Sequence, residues 1–262
     1  MPPQLLNNIR IVLVEPAGPL NVGSVARVMK NMGLSNLVIV NPRCDPFEGE
    51  ARQMAVHAID VLESASVVPS LTDGLKGCRR AIATLGRSHT LVGTLEHPQQ
   101  ALPWLLGTGL EPSSGALIFG PEDRGLSNEE LNQAHRFICI PSNPIYPSLN
   151  LAQAVAICCY ELYQLTHLPS PVHPIVNTTS PLHHPSTPFP PDPAPLEQLE
   201  GFYQQLETVL LNIGYLYPHT ATSRMQKFRR LFSRAMPSTE EVTMLRGILR
   251  QVEWATQHKQ KS

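Results

Sequence analysis

From Ile9 to about Gln164 the chain alternates short aliphatic runs with longer stretches in which apolar residues recur every three or four positions. The short runs predict strands at Ile9–Val14 (IRIVLV), 37–40 (LVIV), 81–85 (AIATL), 116–119 (ALIF) and 137–140 (FICI), with a further short strand starting at Val67 and Val68. The longer stretches predict helices. One covers 21–32, with Val22, Val25, Ala26 and Met29 on one face, and another 51–64. A third covers 127–134, where Ser127 followed three residues later by Glu130 reads as a capping box, and a long apolar one covers 148–164. Strands alternating with helices at this spacing predict an α/β fold with a parallel sheet.

The pattern breaks at residue 168. Ten of residues 168–195 are proline and Asp192 is the one charged residue there. Such a stretch forms neither ladders nor helices and is expected to be an extended linker. Helical spacing returns after it: Phe202, Leu206, Val209, Leu210 and Ile213 share a face, Gly214 suits a C-cap, and further helices are expected at 223–235 and 239–255 around Pro237. The expected organisation is an α/β domain over 1–167, a proline-rich linker over 168–195 and a helical extension over 196–262.

Charge follows these boundaries. The whole chain has 20 basic and 21 acidic residues, which excludes a uniformly basic nucleic-acid coat. The first 167 residues carry net −3 and residues 196–262 net +3. Arg224, Lys227, Arg229, Arg230 and Arg234 fall within eleven residues, with 227, 230 and 234 on one helical face. Charge alone fits a solvated face or a phosphate-binding stripe.

Five cysteines, with Cys158 and Cys159 adjacent in an apolar run and no C-x-x-C, do not form a disulfide framework. They read as small buried hydrophobes in a reducing compartment. The histidines lack metal-ligand spacing, so no metal is expected. The first residues do not pattern as a signal peptide and no apolar run reaches membrane-spanning length, so a cytoplasmic protein without membrane contact is expected. G-x-G-x-x-G and the P-loop are both absent, which argues against a nucleotide-binding reductase.

Three loops follow strands and precede helices, where open α/β sheets bind ligands. The first runs from Glu15 to Arg27. Its prolines and Gly18 are expected to delay helix until Asn21, a candidate N-cap, and Gly23 permits close approach to the helix start. The second, Phe119 to Ser127, carries a carboxylate pair and Arg124. The third, Asn143 to Asn150, is stiffened by two prolines, with Ser148 as the expected N-cap. Each alone is compatible with an ordinary capped turn.

Together, NVGSVAR at 21–27, FGPEDRGL at 119–126 and PSLNLAQAVAICCYEL at 147–162 resemble the three motifs of the SpoU/TrmH superfamily of RNA ribose 2′-O-methyltransferases. The sequence from Phe202 onward (FYQQLETVLLNIGYLYP, then MQKFRRLFSRAMPSTEEVTMLRGILRQVEW) resembles the C-terminal extension of the TrmJ-type tRNA methyltransferases. The resemblance implies a deep trefoil knot in the parallel-sheet domain, S-adenosyl-L-methionine as cofactor, a homodimer with the site near the subunit interface, and tRNA as substrate. In the TrmJ-type branch the target is the ribose of anticodon-loop nucleotide 32.

Carried over position by position, the resemblance assigns Thr84, Leu85, Gly86, Gly120, Ile140, Pro147, Ser148 and Leu149 to the cofactor pocket. Gly120 is expected to let backbone approach the cofactor. Arg27 matches the arginine that activates the ribose hydroxyl, and Asn21, Glu122 and Asn150 match polar positions around it. Arg224, Lys227, Arg230 and Arg234 are the candidate RNA contacts. Pro147 stands where the subfamily often has Ser, and Pro121 and Asp123 also depart from some relatives. An arginine, with its pKa above about 12, is a poor base. Arg27 therefore either orients the hydroxyl and its phosphate or is locally deprotonated near a sulfonium. Two other functions fit the class, a catalytically silent RNA-binding knot protein and a methyltransferase acting on rRNA. No protein partner is implied.

Overall fold

In the computed structural model, residues 6–86, 95–107, 114–167 and 192–259 are described. Strands β1 (Ile9–Val14), β2 (Asn36–Val40), β3 (Ser66–Val68), β4 (Arg80–Leu85), β5 (Leu95–Glu96), β6 (Gly115–Phe119) and β7 (Arg136–Cys139) form one sheet. Its order is β3-β2-β1-β6-β4-β7-β5, and its paired strands run parallel. The aliphatic runs lack polar alternation because both faces are covered. Ile9, Ile11, Leu13, Ile39, Leu117 and Phe119 enter one core, and Val12, Val14, Val40, Ala83 and Ile118 the other.

Helices α1 (Pro19–Asn31), α2 (Gly49–Ala55), α3 (Ile59–Glu63), α5 (Pro98–Leu105) and α7 (Leu151–His167) cover the first face. The short α4 (Leu71–Gly74) and α6 (Asn128–Leu131) lie on the second. Leu151, Val155, Cys158, Cys159 and Leu162 make the buried stripe of α7. Burial raises the thiols of Cys158 and Cys159 well above the ordinary cysteine range.

Four expectations are corrected. α1 starts at Pro19, with Gly18 as N-cap, and not at Asn21. Proline suits the first helical turn because the N–H it lacks has no helical partner there. The helix expected over 51–64 is two, because Val56 takes a left-handed φ of 52° between α2 and α3. The apolar pattern hides this break, since Ala51, Ala55, Ala58, Val61 and Leu62 still share one core. α6 keeps the expected capping box but is a single turn. α7 begins at Leu151, and its first turn is capped by Asn150, not Ser148: Asn150 Oδ1 accepts from the amides of Ala152 (2.9 Å) and Gln153 (3.4 Å).

The extension is three helices, α8 (Leu196–Asn212), α9 (Pro218–Ala235) and α10 (Thr239–Lys259), around their own core of Leu199, Phe202, Leu206, Met225 and Val242. Gly214, at φ 77°, ends α8 as expected, with Tyr215 and Leu216 amides both donating to Leu210 O. Of the tract read as linker, 168–191 lies outside the described residues, and 192–195 is a fixed strap. Ala194 N donates to Pro237 O (2.8 Å) and Leu196 N to Cys78 O (3.0 Å). Asp192 pairs with Arg80 at 2.9 Å, and Arg79 donates to Pro193 O at 3.0 Å. The strap therefore ties the extension to the amino end of β4 in its own chain.

Arg80 is nearly fully buried, donates to Trp104 O (2.6 Å) and lies 5.5 Å over the Trp104 ring. Beside it His135 Nδ1 accepts from Ala81 N at 3.2 Å. Burial first, and then the Arg80 charge, pull this imidazole down to about 4. An unfolded histidine titrates near 6.5, so between about pH 6.5 and 4 the unfolded chain binds the extra proton and the folded one does not. The His135 contribution to stability is therefore fully present above pH 7 and is lost as pH drops through that window, by up to about 3 kcal/mol. Thermal denaturation at pH 7.5 and 5 should show the drop in the wild type and a much smaller one in His135→Asn. Equal slopes in the two proteins would exclude His135 as the source.

Candidate active site

Strand register places the site. Leu13 pairs with Phe119, Ala83 with Ile118 and Leu85 with Cys139, so the carboxyl ends of β1, β6, β4 and β7 lie along one edge. The loops that follow converge there on a cavity of about 540 Å³, of the size that holds a nucleoside-sized ligand. Every residue the sequence assigned to the cofactor lines it: Thr84, Leu85 and Gly86 after β4, Gly120 after β6, Ile140 after β7, and Pro147, Ser148 and Leu149 before α7. Leu126 and Leu151 add apolar wall, and Glu122 stands at the rim.

The Thr84 hydroxyl is committed to Ile118 O (3.0 Å), and Ser142 Oγ donates to Pro147 O (2.8 Å). These contacts fix the two rims of the cavity. Pro147 offers no N–H, so amide donors on that side must come from its neighbours. The loop itself requires glycine at Gly120. A Cβ there would lie 2.5 Å from Gly125 C and Leu126 N. The position a Cβ would take is filled by the loop's own return, closed by Gly125 N donating to Pro121 O at 2.9 Å. Gly23 likewise admits Ala51 of α2, whose carbonyl oxygen would lie 2.1 Å from a Cβ, and not a ligand.

Asn21 from the first turn of α1, Glu122 from the loop after β6 and Asn150 from the loop before α7 form one directional chain. Because Asn150 Oδ1 caps α7, its Nδ2 is left to donate to Asn21 Oδ1 (3.0 Å). Asn21 Nδ2 is then left to donate to Glu122 Oε1 (2.7 Å), and Ala17 N donates to Glu122 Oε2 (3.2 Å). Starting α1 at Pro19 is what frees the Asn21 amide for this, since it no longer serves as cap.

Arg27 is exposed, makes no hydrogen bond or ion pair among the described residues, and is not in the cavity lining. It lies six residues beyond Asn21, about 9 Å along α1. In the extension Arg224, Lys227 and Arg234 are exposed on α9 and Arg230 is half-buried. Arg224 donates to Tyr215 O (3.3 Å) and sits 5.8 Å over its ring. Arg229 of the same run turns inward, gripping Glu200 at 2.6 and 2.8 Å, 4.5 Å above Tyr203.

Sequence reasoning missed the ion pairs that Asp123 and Arg124 of the cavity lining make with residues remote in sequence. Arg43, just past β2, holds both oxygens of Asp123 (2.8 and 2.9 Å). Arg124 bridges Glu130 (2.9 Å) and Glu15 (3.1 Å). The Arg43 hydrogen bonds hold the Asp123 carboxyl well below the usual carboxylate range. The DR pair in FGPEDRGL was the available signal, but its partners are remote in sequence. Among the described residues no group of three or more His, Cys, Asp or Glu side chains is placed to hold a metal ion, and no helix is long and apolar enough to cross a membrane.

The profile of the SpoU rRNA Methylase family matches residues 8–160, and that of the tRNA methyltransferase TrmJ C-terminal domain matches residues 197–261. The tRNA (cytidine/uridine-2′-O-)-methyltransferase TrmJ of Pectobacterium atrosepticum is 42% identical over 250 residues, covering 95% of this chain and 98% of the relative. The protein of the same name from Escherichia coli K12 is 40% identical, covering 95% and 96%. The crystal structure of TrmJ from Z. mobilis ZM4 superposes with a TM-score of 0.78 at 29% identity, covering 93% of this chain and 98% of that one.

Proposed function

The chain belongs to the SpoU methylase family, with a TrmJ C-terminal domain behind the α/β domain, and from this membership we propose how it works as a tRNA ribose 2′-O-methyltransferase. The proposed donor is S-adenosyl-L-methionine, and the proposed target is the ribose of a cytidine or uridine at anticodon-loop position 32. The observation that carries this reading is the convergence of three motif loops on one cavity, with all eight assigned cofactor residues in its lining.

The cavity fits the donor in size and chemistry. The backbone of 84–86 and 147–149 offers polar groups to an adenosine and an amino acid, and Ile140, Leu126 and Leu151 offer apolar surface to a ring. When bound, the donor supplies a methyl group already activated by its sulfonium charge. What remains for the protein is to align acceptor and methyl and to let a proton leave. The Asn150–Asn21–Glu122 chain fixes the loops that present the acceptor. Arg27 orients the 2′-hydroxyl and holds the adjacent phosphate, the proton leaving through phosphate or water.

Arg27 stands off its own cavity, on an α1 face it shares with Leu20, which is 48% exposed. Ile145 and Tyr146, which directly precede Pro147 of the cavity lining, are also strongly exposed. This supports a homodimer in which the pocket is completed across the interface. The deep knot belongs to the same reading, as does RNA contact by Arg224, Lys227, Arg230 and Arg234. The test is nuclease digestion and mass mapping of tRNA after incubation with the protein and isotope-labelled donor. One labelled 2′-O-methylpyrimidine in the anticodon-loop fragment is expected. Label confined to rRNA, or donor binding with no transfer, would replace the proposal with the rRNA or the silent RNA-binding function.

A further inference from the structure

β1 and β2 end in the same unusual way. Glu15 (φ 46°) and Asn41 (φ 43°) are both non-glycine residues in the left-handed region, one directly after each strand. Such backbone persists where its surroundings over-determine it, and it gathers at functional sites. Glu15 is held at each of its polar groups. Its N–H donates to Val40 O (2.8 Å), and its carbonyl accepts from Arg43 Nε (3.1 Å). Its carboxylate accepts from Arg124 (3.1 Å) and Asn41 (3.4 Å). The turn it makes sends Pro16–Gly18 toward the loop after β6, where Ala17 N meets Glu122.

Arg43 joins the two sides of that meeting. Its own N–H donates to Pro16 O (3.0 Å), its Nε to Glu15 O, and its two Nη atoms to Asp123, the neighbour of Glu122. One planar guanidinium thus spans loops 80 positions apart. Arg43 is 37% and Asp123 61% exposed, so the pair contributes little to global stability. Its bidentate geometry fixes orientation all the same.

We propose that Arg43 is a positioning residue for methyl transfer, a brace that holds the Asp123 loop against the Glu15 turn so that Glu122 keeps its bonds to Ala17 and Asn21. The kinetic part rests on the tRNA methyltransferase reading; the structural part does not. A lysine would supply the charge without the fork and would not span both loops.

Two measurements on the full chain separate these parts. Amide hydrogen exchange should show faster exchange in peptides covering 15–21 and 120–126 for Arg43→Leu and Asp123→Leu, with the melting temperature nearly unchanged. Single-turnover transfer to tRNA should fall about tenfold in each, with KM for tRNA little altered, since misplacement by about an ångström already costs up to about 10²-fold. Arg43→Lys, which keeps the charge without the fork, should recover little of the lost rate. Unchanged exchange in both peptides overturns the brace, whatever the activity. Faster exchange at full turnover overturns its role in positioning, as does a lysine variant as active as the wild type. Should the wild type transfer no methyl group to tRNA, the methyltransferase reading fails, and the exchange data still decide the brace.

Discussion

Arg27→Ala should lower methyl transfer to tRNA by on the order of 10³-fold while leaving donor affinity unchanged. The two halves of this expectation have separate physical origins. Arg27 is absent from the cavity lining, and no side chain among the described residues depends on it, so removing it leaves the donor's surroundings intact. What is lost is an exposed cation that, among the described residues, is left without a side-chain partner and is free to meet a sugar-phosphate. Stopped-flow or rapid-quench transfer measures the first effect and calorimetry with the donor the second. Arg27→Lys should recover little, because an ammonium offers a point charge where hydroxyl and phosphate together require a planar fork. Substantial turnover in the alanine variant would exclude both the orienting and the deprotonated form of the proposal.

Gly120→Ala should reduce donor affinity by at least about 10²-fold and lower stability by about 1–3 kcal/mol, the usual cost of forcing atoms into a packed position. The obstacle is backbone, at 2.5 Å, on the far side of the loop's own turn, so no side-chain rotation relieves it. The Gly125–Leu126 return has to open, and it carries Glu122 and the Leu126 wall with it. Gly86→Ala is the matched control. It lines the same cavity, yet a Cβ there meets nothing within 4 Å. Calorimetric titration and thermal denaturation of both variants check this. Equal, mild effects would show that the loop yields more easily than its packing implies.

The strands were legible to within about one residue because burial on both faces leaves uninterrupted aliphatic runs, as in Ile9–Val14. The motif loops were legible through their prolines and glycines. Helix starts were legible at Ser127 and Thr239 but not at α1 and α7. Pro19 looked like an obstacle and is a first-turn residue, and Ser148 looked like a cap that Asn150 provides. The two-residue β5, the one-turn α4 and the proline-containing α5 lack enough periodicity to be seen. The cavity lining was found through family resemblance and not from spacing. The Arg43–Asp123 pair at it was missed because the two are neighbours only after folding. Gly120 shows a further limit: its packing role could not be read, since the atoms a Cβ would meet belong to residues five and six positions later in the same loop.

The strap at 192–195 bears on how this protein can be divided. Asp192 neutralises a guanidinium sunk at the foot of the central sheet, and Leu196 packs against the same apolar face as Leu131 and Ala134. Cutting the molecule after α7 would not release two self-sufficient pieces. The larger fragment would keep a stranded cation and a bare greasy patch, and the smaller would lose its footing.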